Sequence, residues 1–154
     1  MTEESAAARL QRYREAWQQV PGVIDGETAF PDVGRMDQVW AWSDYVAKAC
    51  LRDPQLLAGL HAEGLLDRCR EQGEMAAALA QRLRDADEEV LLESALRRFR
   101  RREMVRIIWR DLSGLADLDE TLDELSELAD ICIRQALDRL TAWAVAKSGV
   151  PRNA

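Results

Sequence analysis

Arg98, Arg102, Arg106 and Arg110 recur at every fourth residue in the stretch L-R-R-F-R-R-R-E-M-V-R-I-I-W-R-D-L, which runs from Leu96 to Leu112. On an α-helix that spacing stacks four guanidiniums into one ridge. A guanidinium is a planar fork of donors shaped for phosphate and carboxylate oxygens. The ridge therefore has three possible uses: gripping a phosphate or an acidic partner, binding nucleic acid, or pairing with an acidic helix of the same chain. Arg100 stands apart. A helical wheel puts Leu92, Leu96, Phe99, Met104, Ile107 and Ile108 on one broad apolar arc with Arg100 in its middle, so Arg100 is expected to be buried and paired with a carboxylate. Val105, Trp109 and Leu112 form a second apolar strip, and a helix apolar on two sides is expected at the centre of its bundle.

Other chemistry is sparse. No glycine-rich phosphate loop, G-x-S-x-G or H-E-x-x-H is present, and His61 is the single histidine. Cys50, Cys69 and Cys132 are widely spaced and odd in number, which fits free thiols better than a disulfide framework. Asp85, Asp87, Glu88 and Glu89 precede the arginine helix and suit capping and its dipole better than acid–base work. No catalytic residue, metal site or cofactor is expected within this chain.

The elements that would position the arginines are helical throughout. Glycine and proline are scarce, at eight and four in 154 residues, and a chain of this length is one domain's worth. Leu10, Tyr13, Trp17 and Val20 mark one face of a helix over Thr2–Val20, followed by a loop over Pro21–Arg35. A second helix is expected from Met36 to Leu51, with Val39, Trp40, Ser43, Val46, Ala47 and Cys50 inward. Trp42 falls off that inner face, at a position suited to a contact surface. A short helix over Pro54–Glu63 closes at Gly64, and Leu65–Arg84 is a helix or a pair broken at Gly73. The arginine helix spans Asp87–Leu112. The last helix begins at the N-cap Asp117, carries Leu118, Leu122, Leu125, Ala129, Cys132, Ala136, Leu140 and Trp143 at 3–4 spacing, and stops at Gly149 and Pro151. The expected fold is all-α, a bundle of five to six helices ending in a long antiparallel hairpin. Residues 1–35 form an N-terminal helix and loop, residues 36–154 the bundle proper, and the whole reads as one domain.

Charge sharpens the choice for the ridge. The chain carries −7 overall, yet seven arginines face three carboxylates between Glu93 and Asp111. That local excess of four leaves the rest of the chain at −11. Asp117–Asp130 alone holds seven carboxylates and no base. The leading expectation is that Arg98, Arg102, Arg106 and Arg110 are matched by this acidic helix, or by Asp44 or Glu93. Contact with phosphate or an acidic partner comes second, and nucleic acid is disfavoured by the overall charge. No apolar run approaches a membrane span and no signal peptide is visible, so a cytoplasmic location is expected.

Leu96–Leu112, followed by G-L-A-D-L-D-E-T-L-D-E-L-S-E-L-A-D from Gly114 to Asp130, resembles the helical N-terminal part of the bifunctional glutamine synthetase adenylyltransferase/adenylyl-removing enzyme family. W-S-D-Y-V at Trp42–Val46, with Pro54 and Leu57, is similar to that family's opening helices. The resemblance implies nucleotidyltransferase chemistry in which AMP is attached to and removed from a glutamine synthetase tyrosine, with magnesium, ATP and phosphate as cofactors of the whole enzyme. It further implies glutamine synthetase, a PII protein and the enzyme's own nucleotidyltransferase domain as partners. The family's G-x-G-K-L-G and S-D-I-D-L motifs have no counterpart in this sequence, Ser43-Asp44-Tyr45 lacking the second aspartate. The chain is thus expected to be an inactive helical segment that scaffolds or positions partners. The alternative is a freestanding interaction module that uses the Arg98/Arg102/Arg106 ridge.

Overall fold

Each helix start is written in side chains that satisfy free backbone N–H groups. In the computed structural model, which describes residues 5–21 and 32–149, the Ser5 hydroxyl accepts from the Ala8 N–H and opens α1 (Ala6–Trp17). Thr2, the expected start, and residues 22–31 of the expected loop lie outside the described residues. Asp32 accepts from the Arg35 N–H at 3.0 Å, so Val33–Arg35 form the first turn of α2 (Val33–Trp42) where a loop was expected.

The single helix expected over Met36–Leu51 is two. Ser43 is extended, with φ −131° and ψ 98°, and its hydroxyl caps α3 (Asp44–Arg52) by accepting from the Val46 N–H. Serine followed at once by an acidic first turn is a start signal, and here it overrides the apolar periodicity that runs through it. Next comes α4 (Gln55–Ala62), closed by Gly64 in the left-handed region. Leu65 and Leu66 are buried in the turns that follow, so α5 (Glu74–Arg82) begins only after Gly73.

Two long helices complete the chain, α6 (Glu89–Leu112) and α7 (Leu118–Ser148). Asp117 caps α7 as expected, its carboxylate accepting from the Glu120 N–H at 2.8 Å. The described residues therefore fold as seven helices with no strand among them, an all-α bundle with a long C-terminal helix.

The chain divides into two compact units. The first joins the residues up to Cys69 to Arg102–Leu122; the second joins Arg70–Arg101 to the residues from Asp123 onward. Residues on either side of position 35 belong to the same unit. The first unit's core holds Tyr13, Met36, Val39, Trp40, Val46, Leu57, Leu60, Val105 and Trp109. Trp40 stands edge-on to both Trp17 and Tyr13. Buried apolar residues of the second unit are Met75, Leu79, Leu83, Leu92, Phe99, Leu128 and Ile131. There Arg139 of α7 donates to the carbonyls of Leu83 and Ala86, just ahead of α6.

Candidate functional site

Along α6 the buried positions are Leu92, Ala95, Phe99, Glu103, Val105, Arg106, Ile107, Trp109 and Arg110, a single seam up to Glu103 and burial on several sides beyond it. Both apolar strips expected from the sequence are covered, Leu92, Phe99 and Ile107 on one and Val105 and Trp109 on the other being buried, but Arg100 does not share their environment. Arg100 lies about 100° round the helix from Phe99 and is exposed. It is not a buried ion-pair partner. The polar side chains that are buried on α6 are Glu103, Arg106 and Arg110.

Three of the four ridge arginines are held inside the fold. Arg106 donates from Nε to Glu103 at 2.8 Å, and both side chains are 0% exposed. Arg102 Nη2 lies 2.7 Å from the Glu63 carboxylate at the end of α4, with its own side chain 11% exposed. Arg110 reaches Glu120 with Nε and Nη2, at 3.2 and 2.6 Å, and Nη2 also donates to the Leu115 carbonyl. That clamp ties the end of α6 to the first turn of α7 across the turn at Gly114. Arg98 is exposed.

The acidic helix supplies Glu120 to Arg110, Glu63 meets Arg102, and α6 itself supplies Glu103 to Arg106. The carboxylates singled out beforehand serve elsewhere: Asp44 pairs with Arg9 and Lys48, and Glu93 with Arg97. Glu103 and Glu63 were missed. Glu103 carries a readable signal in its i+3 spacing to Arg106, but nothing local marks Glu63.

The remaining reactive side chains are ordinary. Burial pushes the Cys50 thiol up to about 12, while Cys69 is exposed and Cys132 half-buried. At pH 8 a disulfide reagent is expected to modify Cys69 promptly and Cys50 only on unfolding, because the thiolate is the attacking species. Equal rates at both would show that the first unit's core opens freely. His61 is exposed, and Trp42 is 71% exposed at the end of α2. A shallow apolar hollow of about 310 Å³ lies between α1 and α2, lined by Arg14, Trp17, Gln18, Val33, Met36 and Asp37.

Among the described residues no three His, Cys, Asp or Glu side chains converge as a metal ion requires. No helix among the described residues is long and apolar enough to cross a membrane.

A family profile described as glutamate-ammonia ligase adenylyltransferase matches residues 33–154, which takes in α2 to α7 and the ion pairs of Arg102, Arg106 and Arg110. The chain belongs to the glutamate-ammonia ligase adenylyltransferase family. A bifunctional glutamine synthetase adenylyltransferase/adenylyl-removing enzyme of Nitrosococcus oceani is 47% identical over 113 residues, covering 73% of this chain and 12% of the relative. The protein of the same description in Pseudomonas syringae pv. tomato is 38% identical over 149 residues, covering 92% of this chain and 15% of the relative. The one in Shewanella loihica is 32% identical over 146 residues, covering 95% and 15%. The chain thus spans 12–15% of the length of these adenylyltransferases. No solved structure matches it.

Proposed function

We propose that this chain is a helical scaffolding segment in the attachment and removal of AMP on a glutamine synthetase tyrosine, without catalytic residues of its own. The observation that carries this reading is the 47% identity to the Nitrosococcus oceani adenylyltransferase over 113 residues. Those relatives are named for both the adenylylating and the adenylyl-removing activity. The segment's part is to present a rigid helical surface against which the nucleotidyltransferase domain, glutamine synthetase and a PII protein are positioned. Within the first unit the arginine pairs support that part, since each ties α6 to another element or lies buried along it.

A freestanding module that offers Arg98, Arg102 and Arg106 to an acidic partner has less support. Arg102 and Arg106 are already engaged with Glu63 and Glu103, and freeing a paired, buried guanidinium costs several kcal/mol.

The test is a chimera in which this chain replaces the matched segment of the Nitrosococcus oceani relative. It is expected to adenylylate glutamine synthetase within about tenfold of the unaltered relative, a barrier change of about 1.4 kcal/mol, whereas the 154-residue chain alone transfers nothing. A folded chimera without transfer activity would sink the reading.

A further inference from the structure

α7 leaves part of its apolar surface uncovered. Its buried positions are Thr121, Glu124, Leu128 and Ile131. At 100° per residue, an exposed strip lies about 160° round the helix from them. In the second unit that strip holds Ala129, Ile133, Leu137, Leu140 and Ala144, all exposed, with Ile133 at 65% and Leu137 at 61%. The seam expected from sequence is split: Leu125, Cys132, Ala136 and Trp143 are half-buried, whereas Leu118, Leu122, Ala129 and Leu140 are exposed. Val90 and Leu91, at the start of α6 in the same unit, are exposed as well. A run of large aliphatic side chains on one helix face costs solubility unless something covers it.

The strip has a charged border on one side only. Asp119, Asp123, Glu127, Asp130 and Asp138 fall between the buried positions and the exposed strip, interrupted by Arg134. An occupant that lays an amphipathic helix along Ile133–Leu140 would meet apolar side chains in the middle and carboxylates along one edge. The matching surface is apolar with a basic rim on that edge.

We infer that the outward strip of α7 is the docking face for the rest of an adenylyltransferase polypeptide, through an apolar helical surface with a basic rim. This rests on the scaffolding role proposed above. In the Nitrosococcus oceani relative the segment matched is 12% of the protein, so most of that polypeptide is left to supply the cover. The border argues against an antiparallel pair of copies, because two copies of α7 laid on one another in that sense would bring their acidic edges together.

The test uses side-chain accessibility. Ile133→Cys and Leu137→Cys are introduced singly, with Cys69→Ser and Cys132→Ser, into the chain and into the full-length chimera described above. Maleimide labelling is timed in both. In the chain, labelling is expected at the rate of an open thiol. In the chimera it is expected about tenfold slower or more, because a covered side chain reacts only through local opening. Equal rates in the two overturn the docking face, and if that chimera transfers AMP the scaffolding reading survives without it. Labelling in the chain that slows as protein concentration rises overturns it in favour of a second copy. A folded chimera that transfers no AMP overturns the scaffolding reading itself.

Discussion

Replacing Glu103 by Gln is expected to destabilise the fold by about 3–5 kcal/mol, the usual consequence of removing one partner from a buried ion pair. Glu103 and Arg106 are both 0% exposed and joined at 2.8 Å. Their charges have been taken out of water together, and each makes the other tolerable. Gln keeps the shape and takes away the charge, so the positive charge of Arg106 stays inside with less to balance it. The paired change Glu103→Leu with Arg106→Met removes both charges, and it should cost far less than the single change or even stabilise the fold. Urea unfolding followed by circular dichroism measures both variants, with an unchanged slope confirming that stability alone has moved. A single variant within about 1 kcal/mol of the parent would mean that the pair is hydrated in solution.

Trp40→Ala is expected to cost about 3–5 kcal/mol, the range for emptying a buried aromatic site. Trp40 is 0% exposed and meets the edges of Trp17 and Tyr13 at centroid distances of 5.5 and 6.4 Å. Its removal therefore opens a cavity and ends two ring contacts that bring α1 onto α2. Trp42, two residues on, is 71% exposed. Its replacement by Ala should change stability by no more than about 0.5 kcal/mol. The same urea experiment reads both, and similar losses from the two would place the helix in a different register.

How much of this was legible in the sequence depended on what each signal measures. Caps were legible because they are local: Asp117 before α7, and the glycines at 64, 73 and 149, can be read from a few neighbours. Ser43 belongs to the same class and was overlooked, since the apolar periodicity around it is continuous across the break. The buried face of α7 was read only in part. Leu125, Cys132, Ala136 and Trp143 of the expected seam are half-buried and Leu118, Leu122 and Leu140 exposed, while Thr121, Glu124, Leu128 and Ile131 take the inside, because hydrophobicity alone does not say which side of a broad apolar arc a partner will cover.

The arginine helix divides the same way. Residue type and spacing in the sequence sufficed to say that the fold is helical, that α6 is charged as well as apolar, and that Arg98, Arg102, Arg106 and Arg110 share one side of it. They sufficed also for the family, because identity along the chain needs no coordinates. Only the tertiary structure decided which of those arginines are spent inside. Glu63 stands far from Arg102 along the chain and comes to it only when α4 packs near α6. Glu103 becomes a buried partner only because other elements shut water out around it. Arg100 is left in solvent by the same packing. Helix periodicity is a property of neighbours a turn apart, whereas burial and ion pairing depend on what the rest of the chain lays against each face.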